Sequence, residues 1–112
     1  MAKTNYIYQG STATVRYTFT GIDPTTISEA YLTCIQGDTL IDKGDVVFEK
    51  TMTSMTAADD HADWKLAQAD TFALKDGIPC DFQMTYKLGG SDAYKSAHII
   101  ADVVPSNKQG VI

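Results

Sequence analysis

The side chains able to carry acid–base or metal chemistry are few. The stretch "DDHAD" sets Asp59, Asp60, His61 and Asp63 side by side. Carboxylate oxygens in such a row can ligate Ca²⁺, but the Gly and the distal Glu of a calcium-binding helix–loop–helix are missing. A solvated acidic loop without a metal is the expectation. The other histidine, His98, falls opposite the phase of Ile99 and reads as a surface or partly buried structural side chain. Catalysis would need a nucleophile, a base and an orienting group to converge, which here means a pocket gathering Asp60, His61 or His98. "QGDT" and "LGGSD" set Gly near Thr or Ser, yet neither opens a helix after a strand, so neither is a phosphate loop. GxSxG, HExxH and CxxC are absent from the sequence. The residues therefore predict no catalytic group, no metal and no cofactor.

Cys34 and Cys80 fit neither a redox pair nor a zinc site by spacing. Both sit on apolar phases, which suits two buried thiols in a reduced compartment. The alternative is one disulfide pinning two sheets together.

The elements that must carry these residues follow from alternation. In "IPCDFQMTYKL", Ile78, Cys80, Phe82, Met84, Tyr86 and Leu88 are apolar at every second position. Successive side chains of a strand leave opposite faces, so strict alternation marks a half-buried strand. The same period runs through "TATVRYTFT", "SEAYLTCIQ", "DWKLA" and "AYKSAHIIADVV". "DVVFEK" offers Val46 with Phe48, or Val47 in the other phase, and "NYIYQ" is a short opening strand. Turn clusters punctuate the chain at "GIDPTT", "QGDTLIDKGD", "KDGI" and "LGGSDA". The last of these should close a long hairpin between 78–88 and 93–104. "AQADTFAL" breaks the alternation and reads as a short helical crossing. "TSMTAADDHAD" has no period and reads as an exposed loop. "PSNKQGVI" reads as a trailing extension, since Pro105 ends the last strand.

At 112 residues the chain has the size of one domain. The fold expected is all-β: an antiparallel β-sandwich of about seven to eight strands with one short helical crossing. Its core spans about residues 6–104, with a short extension over 105–112. A barrel is the competing solution. The hydrophobic share of 44% suits a packed core, and the formal charge of −5 with only scattered basic residues argues against nucleic acid. No apolar run is long enough for a membrane helix. "MAKTNYIYQG" lacks the apolar segment of a secretory leader, so folding in a cytoplasm is expected.

The order of pieces carries a resemblance. "YQGSTATVRYTFTGID", "ISEAYLTCIQGDTLIDK", "WKLAQADTFAL" and "CDFQMTYKLGGSDAYKSAHIIADVV" follow one another as in small Ig-like virion proteins of tailed phages and prophages of Gram-positive bacteria. The layout is similar in particular to the N-terminal domain of upper baseplate proteins, through "LxxxDTFxL" and "QMxYKLGGSDAxxS". The resemblance implies a virion component with no catalytic residue to carry over, working in the baseplate, tail, neck or capsid through contacts with other virion proteins or in a homo-oligomer. No long helical or receptor-binding extension like that of a full baseplate protein is expected after the domain, which leaves tail, neck or capsid-decoration roles open beside the baseplate. Tyr supplies apolar area with a polar tip, so the tyrosines are candidate contacts. Tyr6, Tyr8 and the terminal Lys108, Gln109, Val111 and Ile112 are the expected interface residues. The second reading is a β-sandwich module binding glycans or a cell surface, which requires an exposed aromatic platform.

Overall fold

The computed structural model describes residues 5–37, 44–108 and 110–112. Nine strands lie among them: β1 (Asn5–Tyr8), β2 (Thr14–Thr18), β3 (Glu29–Gln36), β4 (Asp45–Thr51), β5 (Met55–Ala58), β6 (His61–Lys65), β7 (Cys80–Lys87), β8 (Ala93–Lys95) and β9 (Ile99–Val104). One short helix, α1 (Gln68–Phe72), connects β6 to β7. The strands form two separate sheets. One runs β1-β9-β7-β3-β4, with β8 also paired to β7, and the other runs β2-β6-β5. The sheets do not close on each other, so the architecture is a sandwich rather than a barrel. The order of the strands, with the chain passing repeatedly between layers, is Ig-like.

Alternation places the core. Along β7 the inward set is Cys80, Phe82, Met84 and Tyr86, all buried. The neighbouring β3 adds Ala30, Leu32 and Cys34, and the facing sheet adds Val15 and Tyr17 from β2 and Ala62 and Trp64 from β6. Leu66 and Leu74 close the end of the sandwich on either side of α1. Fully burying one such side chain is worth roughly 1.5–3 kcal/mol. The expected strand over 78–88 is trimmed to Cys80–Lys87, and Ile78 and Leu88 are half-buried at its ends.

Several expectations need correction. The periodless stretch "TSMTAADDHAD" is not a loop. It holds a helical turn at Met52–Ser54 and then the hairpin β5–β6, in which Ala58 pairs with His61 across Asp59 and Asp60. Asp59 takes φ 53°, a left-handed conformation that Asp tolerates. Small Ala and Thr residues masked the alternation there. The sheets are also not wholly antiparallel, because β1 runs parallel to β9. A tight turn forces antiparallel pairing only on strands it joins, and these two lie at opposite ends of the sequence. The final strand is split at Ser96–His98 into β8 and β9, which with β5 raises the strand number above that expected. In β4 neither reading of the phase holds throughout, because the register shifts within the strand. Phe48 pairs with Cys34 and Val46 with Ile35, so Val47 is the extra residue of a bulge. Val47 and Phe48 both pack on the core while Val46 turns outward. The expected turn over "QGDTLIDKGD" lies largely outside the described residues.

The resemblance motifs prove to be structural instructions. In "LxxxDTFxL", Leu66 and Leu74 are core. The Asp70 carboxylate accepts the Ala67 amide at 2.8 Å at the start of α1 and pairs with Lys50 of β4 at 2.8 Å. Buried Thr71 donates its hydroxyl to the Ser11 carbonyl at 2.8 Å. Phe72 lies against Gly10, where φ is 79° and a Cβ would come within 2.4 Å of the ring. Opposite α1, the Gln36 side chain clamps the incoming loop. It donates to the Lys75 and Ile78 carbonyls, each at 2.9 Å, and accepts the Lys75 amide at 2.8 Å.

Candidate assembly surface

The two histidines are far from forming a common site. His61 lies on the outward face of the three-stranded sheet and His98 belongs to the other sheet. His61 Nδ1 is 3.3 Å from Asp60, and its Nε2 is 3.8 Å from Asp63. Asp63 is already held by Arg16 through two bonds of 2.7 and 2.9 Å. That guanidinium contact, more than any other influence, keeps the Asp63 carboxyl below its usual range. Asp60, His61 and Asp63 thus each have a partner, and among the described residues no group of His, Cys, Asp and Glu has the arrangement of a metal site. His98 is exposed, in the break between β8 and β9. Its Nδ1 lies 2.8 Å from Asp81 and its Nε2 3.3 Å from the Gln83 amide. The nearby Ser96 hydroxyl is committed to the backbone, donating to the Ala97 carbonyl and accepting the Met84 amide. An Asp–His pair is present here without a nucleophile on the imidazole. Two clefts of about 290 Å³ open on the surface, and neither is lined by a histidine.

Cys34 and Cys80 are free thiols, buried on neighbouring strands of one sheet. Cys34 pairs with Phe82 and Cys80 with Gln36, so the cysteines are diagonal neighbours. A bond between the two sheets is therefore excluded. The hydrogen bond with Cys80, reinforced by burial, pushes the Cys34 thiol far above its ordinary range.

What distinguishes the surface is how its apolar side chains are distributed. The outward face of β2, β5 and β6 carries Thr14, Arg16, Thr18, Thr56, Ala58, His61, Asp63 and Lys65, all small, polar or charged. The outward face of the larger sheet carries Tyr6 and Tyr8, exposed at 65% and 58%, together with Ile100 and Val46 at 51% and 60%. The register brings them together. Tyr6 pairs with Asp102 and Tyr8 with Val104, next to Ile100 on the same face of β9. A row then crosses the sheet from Ile100 through Asp81 and Ile35 to Val46. Exposed aromatic and aliphatic side chains grouped on one face, here interspersed with Asp81 and Asp102, are a feature of interaction sites. β1 is also an edge strand, bonded only to β9 among the described residues.

Of the residues expected at an interface, Tyr6 and Tyr8 lie on this face. Lys108, Val111 and Ile112 are exposed but not on the sheet; the Ile112 amide donates to Gln68 of α1 at 2.9 Å, so the chain end returns to the helix instead of trailing away. Gln109 lies outside the described residues. Of the other tyrosines, Tyr86 is core and Tyr94 stacks on it with centroids 5.7 Å apart. Alternation puts Ile35 on the face opposite Cys34, while Val46 and Ile100 are signalled only by the doublets "VV" at 46–47 and "II" at 99–100, where one of two adjacent apolar residues must face out.

Comparisons with protein-family models, with curated proteins and with solved structures find no match to this chain. None of the helices among the described residues is long and apolar enough to cross a membrane.

Proposed function

We propose that this chain is a non-enzymatic structural component of a phage particle that assembles by protein–protein contact through the outward face of its six-stranded sheet. The observation that carries the reading is the asymmetry between the two sheets. One outward face carries only small, polar or charged side chains, while the other gathers Tyr6, Tyr8, Ile35, Val46 and Ile100. Aromatic and aliphatic side chains grouped with polar neighbours are the composition of an interface core and rim. The likeness of strand order to small Ig-like virion proteins supplies the particle. Contacts with other virion proteins, or a symmetric homo-oligomer, would bury this face. The open edge of β1 offers strand addition as a further contact.

Sedimentation at increasing concentration, combined with mass spectrometry of purified particles from the host, tests the proposal. The expected result is an oligomer, or the chain recovered among virion proteins, with assembly lost in Tyr6→Glu and Ile100→Glu variants whose circular dichroism is unchanged. A chain that stays monomeric and is absent from particles would overturn it.

One observation favours the second reading. Tyr6 and Tyr8 stand two residues apart on one face beside Asp102, a pair of rings with a carboxylate at hand, as glycan binding to a cell surface would require. A glycan array decides between the two. Binding that disappears in Tyr6→Ala supports the glycan reading, and its absence leaves the face to protein.

A further inference from the structure

A second open edge lies on the other sheet. β2 has one neighbour among the described residues, β6. The Leu66 amide donates to the Ala13 carbonyl at 2.8 Å and the Phe19 amide to the Asp60 carbonyl at 2.7 Å. These bonds turn the backbone groups of Ala13, Val15, Tyr17 and Phe19 toward β6. Alternation then turns the N–H and C=O of Thr14, Arg16 and Thr18 away from it, where no described residue pairs with them. Opposite stands β1. The Gln9 amide donates to the Val104 carbonyl at 2.9 Å, so Tyr6 and Tyr8 point their backbone groups outward, and the Tyr8 carbonyl is already taken by Ser11 at 2.7 Å. Between these two edges lies a cleft of about 290 Å³, with Ile7, Ala13, Val15, Phe82, Ile99 and Ala101 in its lining.

We infer that this cleft accepts an extended segment of another polypeptide, which adds to β2 as a fourth strand and lowers alternate aliphatic side chains onto the cleft floor. Each part of the occupant's chemistry follows from the page. A helix satisfies its own backbone groups and cannot satisfy the six open ones on β2, whereas an extended strand can. β2 offers more open groups than β1, which decides the bank. A cavity of about 150 Å³ admits a benzene, so this one has room for two aliphatic side chains at alternate positions. Arg16 at the mouth is neutralised by Asp63 and the floor bears no charge, so the inward side chains must be uncharged. The edge also lacks the proline, bulge or inward charge by which sheets guard against such addition.

The test uses the whole chain and a synthetic peptide of alternating valine and threonine with terminal lysines, followed by amide hydrogen exchange in NMR. Saturating peptide should slow exchange at Thr14, Arg16 and Thr18 at least about tenfold, with Val15 and Tyr17, already bonded to β6, unchanged. Thr14→Pro removes an open donor at the first position of the strand, where proline is tolerated. Ala13→Phe fills the floor without touching the backbone. Each should weaken the peptide at least about tenfold while the fold is retained. No slowing at these amides, or binding undiminished in both variants, overturns the proposal. Protection already present without peptide at low protein concentration also overturns it, because the chain itself would then occupy the edge. Protection that rises with protein concentration alone overturns it in favour of a second copy.

Discussion

Met84 and Ser96 are joined by two reciprocal bonds: the Ser96 amide donates to the Met84 carbonyl at 2.9 Å, and the Met84 amide donates to the Ser96 hydroxyl at 2.9 Å. The second bond replaces one that a continuous strand would have made through its backbone. The side chain thereby spans the break between β8 and β9, and Gln83 strengthens the splice by donating to the Ser96 carbonyl at 3.1 Å. Ser96→Ala should cost about 1–3 kcal/mol, the penalty for leaving a buried amide unpaired. Urea unfolding measures it, and a loss under about 0.5 kcal/mol would mean that water replaces the hydroxyl.

Phe82 is 1% exposed at the centre of β7, with the Phe48 ring 6.2 Å away. Phe82→Ala should cost about 3–5 kcal/mol. A much smaller change would place the residue outside the core and contradict the register of the whole strand.

Gly10 combines a left-handed backbone with the Phe72 ring packed where a side chain would stand. Gly10→Ala should destabilise by about 2–4 kcal/mol, from left-handed strain and overpacking together. Adding Phe72→Leu should recover the packing part only. Full recovery in the double variant would show that φ contributes nothing.

Tyr17 is buried, and its hydroxyl lies near Ser96 without a bond in full hydrogen-bond geometry, because the Ser96 hydroxyl is committed to Ala97 and Met84. Burial pushes its phenol up to about 12, against a smaller opposing influence of Ser96. Ionisation is therefore easier in the unfolded chain, at about pH 10. Stability should hold below about pH 10 and fall as pH rises toward about 12, by up to roughly 2–3 kcal/mol. Tyr17→Phe should flatten that fall. Absorbance titration at high pH should show one tyrosine ionising late, and its absence would refute the assignment.

Cys34 and Cys80 should both alkylate after unfolding without reductant, and neither in the native protein. Mass spectrometry reads this directly; a chain that takes no label when unfolded carries a disulfide within the sheet.

The sequence by itself determined most of the core, though not Ala62, which lies in a stretch without visible alternation. Alternation in 78–88, 29–36 and 12–20 names Phe82, Met84, Leu32, Cys34, Val15 and Tyr17 without reference to any partner, because the two faces of a strand are set by local backbone geometry. It likewise placed a helical crossing within 67–74, where α1 forms over Gln68–Phe72 and Asp70 and Thr71 find backbone partners close by. Only the tertiary structure decided which strands neighbour one another. The parallel pairing of β1 with β9 depends on residues almost a chain length apart, and no local pattern encodes it. The same holds for the candidate surface. Tyr6, Ile35, Val46 and Ile100 are scattered through four strands, and exposure is a property of what the other layer leaves uncovered. Alternation can say that a side chain turns away from the core, but only the assembled sheet says which other side chains it stands beside.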